Sequence, residues 1–118
     1  MSFLALKRHA QTLPGATVDI KWGSDWVASV GGRMFMVGGP HPKVWTGLSF
    51  KVDDHRFLEL TDLPGFAPAP YLARARWVKL SDAKALPLTE LKALISRSHA
   101  LILAKCTKQL QRELGAAG

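Results

Sequence analysis

The sequence predicts an α+β fold in two layers, with an antiparallel sheet of four to five strands and helices packed on one face. Apolar and polar residues alternate in several short segments between residues 18 and 52, which is the pattern of half-buried strands. Near both ends of the chain, apolar residues recur at helical spacing instead. Because short turns join the central segments, we expect the strands to be antiparallel neighbours.

A first helix is predicted over residues 2–13 and ends at Pro14-Gly15. The alternating segments that follow predict three strands, at residues 18–22, 26–30 and 33–37. Gly31-Gly32, between the second and third strands, is typical of a two-residue hairpin turn. Residues 38–45 are predicted to form a loop, because their prolines have no N–H to donate to a strand ladder. A fourth strand is predicted at residues 48–52.

The second half of the chain begins with a short acidic helix, for which Asp53 is the predicted cap and Pro64-Gly65 the end. Residues 65–70 are predicted to form a loop, and a fifth strand follows at Ala75–Leu80. The charges of this strand are typical of a sheet edge. A final helical region is predicted to be capped by Thr89, and its apolar spacing fits either one long helix or two that abut.

Length and composition favour one domain over residues 1–118, which is long enough to bury a core without disulfides. Cys106 is the only cysteine, which excludes an internal disulfide and a cysteine-based metal framework and fits a reducing compartment. No apolar run reaches the length of a membrane span, and the first one is too short for a secretion signal. We therefore expect a cytoplasmic protein with no membrane partner.

The charge balance favours an anionic partner. The net charge is +7, and from Arg74 onward nine lysines and arginines face only three acids. A basic surface attracts polyanions by steering and by the release of counterions. Many basic domains bind no nucleic acid, so the charge alone leaves both interpretations open.

Six basic residues are candidate phosphate contacts: Arg74, Arg76, Lys79, Lys105, Lys108 and Arg112. The last three have the spacing of one helical face. The first three lie in or beside the predicted fifth strand, where alternation places the two arginines on one face and Trp77 on the other. Tyr71 in the proline loop and Trp77 are candidate base-stacking residues, although a tryptophan on a strand more often packs in the core.

Catalytic and metal-binding patterns are missing from the sequence. His9, His41, His55 and His99 do not have the spacing of a helical zinc site, and no cysteine pair supports them. Ser98 and His99 are neighbours on a predicted helix, so their side chains diverge and cannot form a proton relay. We expect no enzyme activity, no metal and no cofactor.

Four parts of the chain carry a resemblance to a known family: Leu13–Gly38, Leu48–Leu80, Leu88–Lys105 and the lysine-containing end that follows. They contain three motifs: the hairpin VGGRMF at Val30–Phe35, the element PAPY at Pro68–Tyr71 followed by Trp77, and RSHALILAK at Arg97–Lys105. Their order and spacing resemble the MmcQ/YjbR family of small bacterial proteins. The chain departs from that pattern at His99, where an aromatic residue is common. It also departs at Arg74 and Arg76, which lie near positions where lysine and histidine are frequent.

The resemblance implies a compact α+β fold with a double-wing motif, and a role in DNA binding. The same two-layer architecture is similar to that of secretion chaperones, which implies a protein-interaction module as the alternative, with a protein partner or a homodimer. A third alternative is a small-ligand pocket around Tyr71, His41 and Trp77. The leading hypothesis is a non-enzymatic DNA-binding protein that contacts phosphates through its C-terminal third.

Overall fold

The computed structural model describes residues 2–21, 25–38, 47–69, 72–82 and 84–117. Its helices are α1 Ser2–Gln11, α2 Asp54–Thr61, α3 Leu88–Leu103 and α4 Lys108–Ala117. Its strands are β1 Ala16–Lys21, β2 Asp25–Val30, β3 Arg33–Gly38, β4 Leu48–Lys51, β5 Phe66–Pro68 and β6 Trp77–Leu80. None of the helices in these ranges is long and apolar enough to cross a membrane. Most of the predicted loop at residues 38–45 lies outside the described residues.

The six strands form one antiparallel sheet in the order β1-β2-β3-β4-β6-β5. The predicted α+β class is confirmed, but the sheet has one strand more than the four to five expected. The additional strand, β5, lies in the segment predicted as a loop and is only three residues long. It ends at Pro68, which pairs opposite Val78, and an edge strand tolerates a proline because one side of its ladder is unpaired.

The predicted edge position of the fifth strand is wrong, because that strand, β6, lies between β4 and β5. Its predicted start is also wrong, since β6 begins at Trp77 and residues Ala73–Ala75 form a 3₁₀ turn. Arg76 joins the two with a φ of +63°. Its carbonyl accepts a hydrogen bond from Val52 N–H at 2.8 Å, which fixes this uncommon backbone conformation beside β4.

The predicted start of α2 is confirmed, and that of α3 is wrong. Asp53 occupies the N-cap position of α2, but its carboxylate makes no capping hydrogen bond. The predicted cap Thr89 lies inside α3, whose N-cap is Pro87. The C-terminal region is two helices, and the second is capped by Thr107, whose hydroxyl accepts the N–H of Leu110 at 3.2 Å.

Helices α1 and α3 pack on one face of the sheet and on each other. Paired residues of successive strands, such as Met36 and Phe50, are fully buried in this layer. From α3, Leu91 and Ile95 enter the same cluster. One apolar cluster therefore joins the helices to the sheet.

Ser98 of α3 completes the ladder between β3 and β4. Phe35 is a bulge in the pairing of β3 with β2, and the pairing of β3 with β4 ends at Met36 and Phe50. The buried Ser98 hydroxyl donates to the Phe35 carbonyl at 2.6 Å and accepts the N–H of Lys51 at 3.0 Å. A side chain from the helix thus satisfies two backbone groups just beyond the last residue pair of β3 and β4.

Helix α4 packs across one end of the sheet. A Cβ atom on Gly31, in the β2–β3 turn, would lie 2.6 Å from Leu110 Cδ2 and 2.8 Å from Cys106 Sγ. A Cβ atom on Gly15, in the turn before β1, would lie 2.7 Å from Leu114 Cδ1. Leu110 and Leu114 of α4 therefore pack directly against the backbone of two turns, at positions occupied by glycine.

Candidate nucleic-acid interface

The strand register brings the ends of three strands that carry basic residues to one end of the sheet. Val30 pairs with Arg33 across the β2–β3 turn, and Lys51 pairs with Trp77 where β4 ends and β6 begins. Since β3, β4 and β6 are consecutive in the sheet, these charged positions lie on three adjacent strands, about 10 Å from first to last. We call this region the basic end and define it by seven residues: Arg33, Lys51, Arg74, Arg76, Lys105, Lys108 and Arg112.

Lys51 links the two groups of basic residues that the sequence suggested. Its ammonium donates to the carbonyl of Ala75, the residue between Arg74 and Arg76. Burial lowers the pKa of Lys51, and the nearby charge of Lys105 lowers it further. One lysine therefore lies close to the turn before β6 and also to the turn after α3.

Arg76 is partly neutralised by α2. Its guanidinium lies 3.3 Å from the Asp54 carboxylate, measured from Nε to Oδ1, and 5.5 Å from the ring centre of Phe57. Both charged side chains of the pair are largely exposed, and such a pair is weak. Arg76 can therefore leave Asp54 and bind a phosphate at little cost in free energy. Arg74, two residues earlier, is exposed and has no carboxylate to leave among the described residues.

The predicted helical face of Lys105, Lys108 and Arg112 is wrong in part. Lys105 lies in the turn between α3 and α4, so only Lys108 and Arg112 share a helix. All three are exposed. Helical spacing cannot extend through a turn, yet the turn itself places Lys105 near Lys51, as the pKa of that lysine indicates.

Lys79 is not brought together with the other candidates. It lies in the body of β6, paired with Ser49 on one side and Ala67 on the other. Its aliphatic stem runs along the chain at Gly47, where an added Cβ would lie 2.7 Å from Lys79 Cε. This packing holds Lys79 away from the basic end.

The base-stacking prediction for Trp77 is wrong, because that side chain is only 4% exposed and belongs to the core. A buried ring offers no face to a base. Tyr71 and His41 lie outside the described residues. Of the three residues of the alternative pocket, Tyr71, His41 and Trp77, the structure therefore describes only Trp77, and that side chain is buried.

Charge at the basic end is largely uncompensated. Across the described ranges there are three ion pairs, and in them Arg56 binds Glu59, Arg76 binds Asp54 and Arg97 binds Asp53. Five exposed cations of the basic end therefore have no carboxylate partner within the described residues: Arg33, Arg74, Lys105, Lys108 and Arg112. Such a cluster repels itself until counterions or a polyanion neutralise it.

Histidines close to α3 serve as links between elements. His99 is buried, donates from Nε2 to the Pro14 carbonyl at 2.7 Å, and meets the Phe35 ring edge-on at 5.2 Å. His9 Nε2 lies 2.6 Å from Ser96 Oγ, and burial lowers the pKa of this imidazole. Within the described residues, no group of three His, Cys, Asp or Glu side chains is close enough to hold a metal ion.

Arg33 and Lys51 were missed by sequence reasoning. Arg33 stands in the hairpin segment VGGRMF, but the charge count drew attention only to the chain beyond Arg74. Lys51 had the alternation of an ordinary polar strand position. Only the pairing of β4 with β6 shows that it adjoins the arginines.

Comparison with solved structures gives a match to the crystal structure of the Deinococcus radiodurans protein DR2400, described with a DUF419 domain. The TM-score is 0.83 at 26% sequence identity, and the match covers 96% of this chain and 87% of that one. No curated protein matches the chain significantly. The family model YjbR matches residues 11–101, which include all six strands and α2 and most of α3. The chain is therefore a member of the YjbR family.

Proposed function

We propose that this protein binds DNA without catalysis, by contacting backbone phosphates with the basic end. One observation carries the proposal: five exposed cations without carboxylate partners lie on a single end of the sheet, in the described part of the chain. Lysine and arginine in such numbers match the regular negative charge of a nucleic-acid backbone.

The proposed mode of contact is positioning on phosphates with little reading of bases. Trp77, at the start of β6, is buried, so its ring does not stack on bases. Arg74, Lys105 in the α3–α4 turn, and Lys108 and Arg112 on α4 each contact a different phosphate of the DNA. Contacts to phosphate fix register but carry no sequence information.

Fluorescence anisotropy of a labelled 20-base-pair duplex tests the proposal across a range of salt concentrations. With about five phosphate contacts, a plot of log affinity against log salt has a slope of about −4 to −5. Sequence-scrambled duplexes bind with the same affinity. The double substitution Arg74→Glu with Lys105→Glu weakens binding by about tenfold or more and makes the slope shallower.

Lys84 supplies the matched control. It is exposed and follows β6 at the opposite end of the sheet. Lys84→Glu removes the same charge per substitution but leaves affinity within about twofold, once the change in net charge is allowed for. Equal weakening by Lys84→Glu and by either basic-end substitution, or no binding at low salt, refutes the proposal.

A protein-interaction module is the second candidate, and exposed apolar side chains on β1 favour it. Ile20 is 50% exposed and Val18 is 37% exposed, and both lie on the same face of this edge strand. Light scattering at increasing protein concentration separates the two functions. A dimer that Ile20→Lys converts to monomer, with DNA binding absent in both forms, supports the second candidate over the first.

A further inference from the structure

A cavity of about 290 Å³ opens between the start of α2 and the outer side of α3. Its apolar lining consists of Val52, Leu86, Ala93 and Leu94. Val52 is 2% exposed and Leu94 6%, so the floor belongs to the core and is preformed. The volume lies near the lower end of the range of small-molecule sites, which combine apolar walls with a few polar groups.

Four charged residues line the same cavity: Asp53, Arg56, Glu90 and Arg97. Arg97 donates to the Asp53 carboxylate from Nε at 3.0 Å and from Nη2 at 2.9 Å. Arg56 donates to Glu59. Each guanidinium of the lining is thus already matched with a carboxylate.

Glu90 is the exception. In the described part of the chain it is the one charged residue of the lining without an ion pair. It lies in the first turn of α3 and is exposed. A ligand that brings a positive charge next to an apolar body gains a charge-assisted contact here and breaks none. An anion, by contrast, meets guanidiniums whose charge Asp53 and Glu59 already balance, and it is repelled by the carboxylate of Glu90.

We propose that this cavity binds a small amphipathic cation, whose apolar part rests on Val52 and Leu94 and whose ammonium group contacts Glu90. The site is separate from the cations assigned to DNA binding, and it goes beyond that proposed function. The chain has a net charge of +7, but this cavity favours a positively charged ligand.

Titration of the ¹⁵N-labelled full chain with phenethylammonium chloride, followed by two-dimensional NMR, tests the proposal. Saturable shifts are expected at the amides of Val52, Glu90 and Leu94. The matched anion 3-phenylpropionate has a similar apolar body and binds at least tenfold more weakly. Equal affinity of the two probes, or no saturable shift at these amides, overturns the proposal.

Substitutions locate the contact. Glu90→Gln keeps the shape of the side chain and weakens phenethylammonium binding by about tenfold, the effect of losing one charge-assisted hydrogen bond. Glu113→Gln on α4 is the matched control and leaves affinity unchanged. Retained affinity in Glu90→Gln, or an equal loss in Glu113→Gln, overturns the proposal.

A second variant tests the cavity without changing charge. Ala93 is exposed on α3 and lines the cavity, so Ala93→Leu fills the space from the solvent side. Binding of phenethylammonium is abolished while the melting temperature stays close to that of the parent chain. Undiminished binding in this variant refutes the assigned location. DNA affinity, measured in parallel, is the same in Glu90→Gln and Ala93→Leu as in the parent chain, so failure here is distinct from failure of the DNA proposal.

Discussion

At the scale of single residues, Ser98 has the largest structural consequence for its size. Its hydroxyl holds the Phe35 carbonyl and the Lys51 N–H at the point where the β3–β4 ladder ends. No sequence pattern predicts this contact, because serine in a helix is ordinarily a solvent-facing or weakly unfavourable residue. The segment RSHALILAK carries part of the family resemblance. At least two of its residues, Ser98 and the buried His99, have structural roles.

Ser98→Ala is expected to lower the free energy of unfolding by about 2–4 kcal/mol, since it leaves one buried donor and one acceptor without partners. Urea denaturation measures the change. Thr89→Ala on the same helix is the control and changes stability by no more than about 0.5 kcal/mol, because Thr89 is exposed and does not cap α3. Similar losses in both variants contradict the role assigned to Ser98.

At the scale of elements, α4 is held by its contact with the glycine turns. Gly31 and Gly32 both have positive φ, at 59° and 79°, but only Gly31 lies under Leu110 and Cys106. An added Cβ at Gly32 meets nothing within 4 Å. Substitutions at Gly32 and Gly31 can therefore distinguish the cost of backbone strain from the cost of disturbing the packing of α4.

Gly32→Ala is expected to cost about 1 kcal/mol of unfolding free energy, the price of a left-handed backbone for alanine. Gly31→Ala carries the same strain and also displaces α4, which adds about 1–3 kcal/mol. Chemical denaturation followed by circular dichroism measures both. The packing of α4 on this turn is disproved by equal costs at the two positions.

Periodicity predicts the long elements well and the short ones poorly. Helices α1 and α3 follow from apolar spacing, since each buries one face, and the central strands lie where alternation predicts them, although β2 is buried on both faces. Strand β5 has three residues, too few to show a period. The break between α3 and α4 contains no glycine or proline, and the positive φ of Arg76 has no sequence signal at all. These features arise from tertiary contacts, which a local pattern does not record.

At the scale of the whole molecule, the net charge can be read from the sequence, but the surface that carries it cannot. Net charge and its concentration toward the C terminus can be counted directly. Four residues named from the sequence are exposed at the basic end, although Lys105 lies in a turn and not on the predicted helical face: Arg74, Lys105, Lys108 and Arg112. Arg33 and Lys51 come from earlier strands, and only the antiparallel order joins them to the rest. The composition of this surface therefore depends on the order of the strands in the sheet, which a local sequence pattern does not show.

Lys51 also has a consequence for chemical reactivity. Because its pKa is lowered, a larger fraction of its side chain is the neutral, nucleophilic amine at mildly alkaline pH than in an ordinary lysine. Lys7, whose pKa burial also lowers, lies 5.3 Å from the ring of Trp26 at the other end of the sheet. Within the described residues, one lysine with a lowered pKa therefore lies at each end of the sheet.

Acetic anhydride labelling read out by mass spectrometry is therefore expected to modify both lysines early in the time course. Saturating duplex DNA slows acetylation of Lys51 by about fivefold or more, because a phosphate near the amine favours its protonated form and blocks access. Lys7 reacts at its original rate and serves as the internal control. Equal protection of both amines, or of neither, contradicts a phosphate contact at this end. Lys51 is in effect a built-in footprinting probe, which reports occupancy of the surface without any engineered label.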